Sequence, residues 1–268
     1  MNYTDQCGRH LVLQDRPQRI VSLVPSQTEL LYDLGLREEV VGITKFCVHP
    51  KKWFESKKRI GGTKNLHLEE IQKLAPDLII ANKEENTKEQ IQLLSADYPV
   101  WISDVNNLAD NHEMIRCIGE ICGKQKEAER IVKQVESGFS QITKLEPIVS
   151  CLYFIWQEPY MLVSSDTFID DVLHRCGFKN LAHSIGKRYP EISVEEITSL
   201  SPEVILLSSE PYPFKEAHKA AFENMFPSST VLLVNGEMFS WYGSRIRLSG
   251  KYLQELNDKI RLLSEGKR

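Results

Sequence analysis

Two stretches of this chain carry the same order of apolar and polar positions without a gap: LHLEEIQKLAPDLIIAN at 66–82 and ISVEEITSLSPEVILLS at 192–208. The offset is 195 − 69 = 126, and Glu69/Glu195, Glu70/Glu196, Ile71/Ile197, Leu74/Leu200, Pro76/Pro202 and Ile79/Ile205 are identical pairs. Each copy begins with the apolar spacing of a short amphipathic helix and ends in a continuous apolar run. That run is the pattern of a strand buried on both faces of a sheet. The proline between them stops the helix, because it has no N–H to donate and restricts the residue before it.

Each half has an earlier β-then-α element as well. Residues 19–24 read as a strand, and Pro25-Ser26 leads into a helix at 27–34 closed by Gly35. In the second half, 148–155 read as a strand, and a helix at 167–175 stops before Gly177. Alternating β and α elements predict an α/β fold of two doubly wound lobes with mainly parallel sheets. Between the halves, Ala128, Ile131, Val132, Val135, Phe139, Ile142 and Leu145 recur at spacings of three and four. This predicts a single long backbone helix over 124–144, roughly 30 Å at 1.5 Å per residue, that joins the lobes and limits them to slight rocking. The expected division is an N-terminal lobe at 1–106, connecting helices at 107–146 and a C-terminal lobe at 147–268.

Composition narrows the function classes. The 268 residues are 41% hydrophobic, and 33 Lys+Arg stand against 37 Asp+Glu for a net charge of −4, with both signs interspersed. Such a chain builds a real core and offers no basic face to nucleic acid or a membrane surface. No run approaches the roughly 18 apolar residues of a membrane span. The opening MNYTDQCGRH lacks a charged-then-apolar leader, which reads as cytoplasmic if the sequence is full length. Six scattered cysteines form no CxxC, and seven histidines form no HxH or HxxxH pair, so no resident metal site or cofactor is expected.

Ligands of doubly wound sheets bind beyond the carboxyl ends of the strands, which places a cleft between the lobes and makes the loops after each strand its walls. These loops supply flat rings from Phe46, Trp156, Tyr160, Tyr189, Tyr212, Phe214, Phe239, Trp241 and Tyr242. Lys45 and Arg245 in the same loops are expected to meet an anionic group. An enzyme would need a constellation that is absent: there is no GxSxG elbow, P-loop, HExxH or dinucleotide fingerprint, and no catalytic residue is assigned. An intracellular sensor or adaptor of the same fold is the alternative, with its rings facing a protein partner.

RIVSLVPSQTELLYDLGL, VVGIT, the two EEI-containing repeats and TFIDDVLHRCGFKNLA, taken in this order, resemble the class III substrate-binding proteins of ABC importers, the cobalamin and iron-siderophore receptors with a helical backbone. The resemblance covers nearly the whole chain. It implies a periplasmic or cell-envelope monomer that captures a metal chelate, a cobalamin-like corrinoid or ferric siderophore, for an ABC transporter permease. It also implies that Glu69 and Glu195 dock on that permease, and that Phe46 and Tyr189 match aromatic ligand contacts. Thr63 and Asn82 stand where the cobalamin-binding pattern has tryptophans.

Overall fold

The computed structural model describes residues 1–265, which group into two units. The first comprises Met1–Val105, Ala109–Gln134 and Tyr242–Arg245; the second comprises Asn106–Leu108, Val135–Trp241 and the chain from Ile246 onward.

In the first unit a hairpin of β1 (Asn2–Thr4) and β2 (His10–Val12) precedes β3 (Ile20–Ser22), α1 (Pro25–Asp33) and β4 (Val40–Ile43). Then come α2 (Lys51–Ser56), β5 (Lys58–Arg59) and a small hairpin of β6 (Gly61–Gly62) and β7 (Asn65–Leu66). The chain continues through α3 (Leu68–Lys73), β8 (Leu78–Asn82), α4 (Lys88–Asp97), β9 (Val100–Ser103) and α5 (Leu108–Ile121). The main sheet has the order β5-β4-β3-β8-β9 with every pair parallel. Val21, Ile79, Ala81, Val100 and Ile102 pack with Ile71, Ile91 and Leu94 into its core. Pro25 starts α1, where its missing N–H costs nothing and its fixed φ suits the first turn.

Next is α6 (Gln125–Ser140), whose residues 125–134 group with the first unit and 135–140 with the second. Ala128, Ile131, Val132 and Val135 are buried, as the spacing predicts. The helix ends four residues before the expected Lys144, and the cause is distant in sequence. Gln254 Oε1 accepts from Thr143 N–H at 2.7 Å, Asn257 Nδ2 donates to Thr143 O at 2.9 Å, and an Arg261 Nη2 donates to Thr143 O and Lys144 O at 2.7 and 3.0 Å. The Thr143 N–H given to Gln254 is no longer available for a helix bond, and the carbonyls left over at the helix end are satisfied by Asn257 and Arg261.

The second unit contains β10 (Val149–Trp156), β11 (Met161–Leu162), α7 (Phe168–Cys176), β12 (Phe178–Asn180), α8 (Val194–Leu200) and β13 (Val204–Ser208). It closes with α9 (Glu216–Met225), β14 (Thr230–Val234), α10 (Glu237–Ser240) and α11 (Ser249–Glu265), the helix that carries Gln254, Asn257 and Arg261. Its sheet runs β11-β10-β13-β14 with β12 also on β10; only the β11 pairing is antiparallel. Thr167 caps α7 by accepting from Asp170 N–H, and Gly177 ends it at φ 91°, where a Cβ would lie 2.5 Å from Leu145 N.

The repeat is now physical. β8 and β13 are fully buried central strands at matching positions, and each follows a helix that ends in a left-handed residue before proline: Ala75 at φ 42° and Ser201 at φ 48°. An L residue pays about 1–2 kcal/mol there, less the entropy glycine would lose. Ala75→Gly and Ser201→Gly should each therefore raise unfolding free energy by about 0.5–1 kcal/mol, read as a higher urea midpoint.

Candidate functional site

At the carboxyl ends of the first unit's strands lies a buried polar layer. Asn82 Nδ2 donates to Ser103 O and Oγ at 3.1 and 3.0 Å, while Asn82 Oδ1 accepts from the N–H groups of Glu84 and Glu85 at 2.9 and 3.0 Å. Asn86 Nδ2 ties the same loop to Thr63 O at 3.0 Å, and Gln27 Nε2 donates to Ser103 Oγ. Buried polar groups must be paired in this way. Asn82 and Thr63, 3% and 7% exposed, thus hold the loop and offer no flat surface to a ligand.

Above this layer Phe46 is half exposed, and the Lys45 ammonium stands 5.1 Å from its ring centroid. Both side chains lie over Gly62, where a Cβ would meet Phe46 Cε2 at 3.1 Å and Lys45 Cε at 3.4 Å. The missing side chain lets the ring and cation settle on the backbone.

Arg245 corrects an expectation. Its Nε and Nη2 donate to the two Glu29 carboxylate oxygens at 2.7 and 3.0 Å, and the side chains are only 11% and 13% exposed. A bidentate partner of this kind already answers the guanidinium's charge, so the structure gives Arg245 a place in the packing of the first unit. Half-buried Tyr242 belongs to the same segment, which turns at Gly243 (φ 90°), whose N–H donates to Asn111 Oδ1.

In the second unit the rings divide into two groups. Trp156 and Tyr189 are 39% and 37% exposed, with the Arg188 guanidinium 5.9 Å from the Tyr189 centroid. Trp156 meets Tyr212 edge-to-face at 5.6 Å, and Tyr212 meets Phe214 at 4.9 Å. Tyr160 is half-buried with its edge against Phe154 and Phe222. Phe214 and Phe239, expected on the loops, are instead core side chains, 5% and 0% exposed: Phe214 turns inward onto Phe222, and Phe239 packs between Tyr153 and Tyr252. Trp241 is half-buried, its Nε1 donating to Glu210 Oε2 at 3.2 Å beside Ser240 Oγ on Oε1 at 2.6 Å. A Cβ at Gly236 would be 2.5 Å from Glu210 Cγ, so this carboxylate needs the glycine.

Glu69 and Glu195 are exposed in the first turns of α3 and α8. Their neighbours do structural work. Glu70 bonds Lys58 and Lys73 at 2.5 and 2.7 Å, which holds its carboxyl down at about 2, and Glu196 completes a capping box with Ser193. The Glu69 and Glu195 side chains make no hydrogen bond or close ion pair among the described residues, although the Glu69 charge helps hold the Lys73 ammonium protonated.

Sequence reasoning passed over Glu29. His218 caps α9, its Nδ1 accepting from Lys215 N–H at 2.8 Å, and its Nε2 lies 3.2 Å from Tyr212 Oη. A depression of about 620 Å³ between α7 and β12 includes none of the expected site residues. Two of its three acids are engaged, Asp170 by His183 and Asn180 and Asp171 by Arg175. Among the described residues no group of three His, Cys, Asp or Glu could hold a metal ion. The cysteines are free thiols, and burial pushes Cys117 up to about 11 and Cys122 and Cys176 up to about 12.

Comparison with known proteins follows the same lines. Residues 20–228 match the family described as periplasmic binding protein. The vitamin B12-binding protein of Pectobacterium carotovorum is 26% identical over 258 residues, 93% of this chain and 91% of that protein. An ABC transporter substrate-binding lipoprotein of Bacillus subtilis is 29% identical over 213 residues, 75% and 67% of the two chains. In structure, the periplasmic vitamin B12 binding protein of Vibrio cholerae superposes with a TM-score of 0.76 at 21% identity, over 92% of this chain and 98% of the other.

Proposed function

The chain belongs to the periplasmic binding protein family, and from that premise we propose that it is the substrate-binding component of an ABC-type importer, working at the cell envelope. Its cargo is a metal chelate, a corrinoid or a ferric siderophore. The observation that carries this reading is an exposed ring at the strand ends of each unit, Phe46 in the first and Trp156 with Tyr212 in the second. Flat rings suit a large, rigid chelate, and Lys45 beside Phe46 suits an anionic edge. Arg245 is left out of the ligand set because Glu29 neutralises it. The proposed function is capture without chemistry, in keeping with the substrate-binding family.

Likeness to a B12-binding protein and a substrate-binding lipoprotein supports this reading, while the tryptophan positions occupied here by Thr63 and Asn82 favour a cargo with less flat surface than cobalamin. Thermal unfolding against cyanocobalamin, cobinamide, haemin and several ferric siderophores tests it. A chelate at a hundred times its Kd adds about 2.7 kcal/mol to the folded state and raises the midpoint. No rise with any of them counts against chelate capture.

Glu69 and Glu195 are assigned to permease docking, because the adjacent acids, and not these two, are spent inside the protein. Exposed charges of this kind steer and register a partner. Glu69→Gln combined with Glu195→Gln should lower uptake by about tenfold while chelate affinity stays within about twofold. Uptake of labelled chelate and titration of the purified variant separate the two effects. A matching fall in affinity would return both residues to the ligand site.

A further inference from the structure

One carboxylate laces together two strand-end loops of the second unit. β13 and β14 are parallel neighbours, so the loops that follow them leave the sheet side by side. Glu210 stands on the first of these loops, half-buried and two residues before Tyr212. Its Oε1 accepts from Ser240 Oγ at 2.6 Å and its Oε2 from Trp241 Nε1 at 3.2 Å, both donors lying beyond β14. The backbone is drawn together beneath it: Ser209 N–H donates to Val234 O at 3.0 Å, and Gly236 N–H donates to Ser209 Oγ at 2.9 Å. A Cβ at Gly236 would also lie 2.5 Å from Ser208 Oγ, so the glycine is what lets the loops approach. Packing alone would be served by an apolar residue, because taking a carboxylate out of water costs free energy that only its hydrogen bonds return. A carboxylate turned onto an indole N–H at the carboxyl ends of the strands, where ligands of such sheets bind, points to a ring that must be aimed.

We propose that Glu210 is the positioning residue of the cargo site, holding the Trp241 ring in its binding orientation at the strand ends that carry Tyr212. The inference rests on the chelate reading and adds to it the group that presets the second unit's ring wall. Hydrogen bonds to an ionised acceptor are about twice as strong as neutral ones, and the two made here fix the loop and the indole together. The side chain is then ordered before cargo arrives, which removes a penalty of roughly two- to tenfold in affinity for one immobilised side chain. A glutamine at 210 can reproduce the arrangement. Its amide oxygen accepts the indole N–H, its amide nitrogen donates to Ser240 Oγ, and that hydroxyl donates to Gly236 O, 3.0 Å away. Alanine reproduces none of this.

The full chain and its variants are titrated with cyanocobalamin, haemin and several ferric siderophores. For whichever of these the wild type binds, Glu210→Ala should weaken binding about tenfold, and Glu210→Gln should bring it back to within about twofold. Trp241→Phe keeps a ring but loses the N–H, and should weaken binding about fivefold by itself. With Trp241→Phe already in place, adding Glu210→Ala should change affinity by less than about twofold, because the two residues act as one unit. A residue that merely stabilised the loops would weaken binding equally in both backgrounds. Near-ultraviolet circular dichroism without any chelate reads the ring itself. The Trp241 signal, taken as the difference between wild type and Trp241→Phe, should flatten in Glu210→Ala and return in Glu210→Gln. Equal losses in both backgrounds, unchanged affinity in Trp241→Phe, or an unchanged Trp241 signal in Glu210→Ala overturns the positioning role and leaves chelate capture standing. If the wild type takes up none of haemin, corrinoids or ferric siderophores, both the positioning role and the capture reading fall.

Discussion

Phe222→Ala should lower the unfolding free energy by about 3–5 kcal/mol, the range for emptying a buried aromatic position. Phe222 is 1% exposed, and its ring meets Phe154, Tyr160, Phe214 and Phe226 at centroid distances of 5.0, 5.2, 6.2 and 5.8 Å. Four rings cannot all collapse into the space left behind, so both the transfer energy and the cavity term apply. The loss extends to the site, because Phe214 is what holds Tyr212 in place. Urea unfolding followed by circular dichroism measures the first effect. A drop under about 1 kcal/mol would mean that this cluster is not packed as described.

Arg245→Met should cost about 3 kcal/mol of stability, since it strands the Glu29 carboxylate where little water reaches it. Adding Glu29→Gln should restore most of the loss, because the expensive state is the single buried charge and not the absent pair. The double-mutant cycle isolates this coupling. Chelate affinity should stay within about twofold in the double variant once folding is restored. Stability unchanged in Arg245→Met, together with a large loss of affinity, would give Arg245 back the anion-binding role that its place in the sequence suggests.

How the fold was legible follows from where its determinants lie. The αβ repeat could be read because its helix, proline and strand are set by neighbours within 17 residues, and β8 and β13 emerge at the matching positions. The end of α6 could not, because the side chains that take the Thr143 backbone are on α11, more than 100 residues away. Two separations explain the site in the same way. Glu29 and Arg245 are 216 positions apart, and no spacing rule joins them. Phe214 sits in a Pro-containing loop that reads as exposed, yet its N–H bonds to Ser208 O and Tyr212 O fold the ring back into the core. The exposed rings Phe46 and Tyr189 stand in loops, as the pattern places them, while Trp156 is the last residue of β10 itself.

Chelate capture is tested most directly by isothermal titration of the full chain with ferric siderophores, haemin and corrinoids in turn. The expected result is saturable binding of at least one of them at a fixed stoichiometry, with Kd of about 1 μM or below, equal to about −8.2 kcal/mol or stronger. No heat and no saturation with every chelate, from protein whose unfolding remains cooperative, would contradict it.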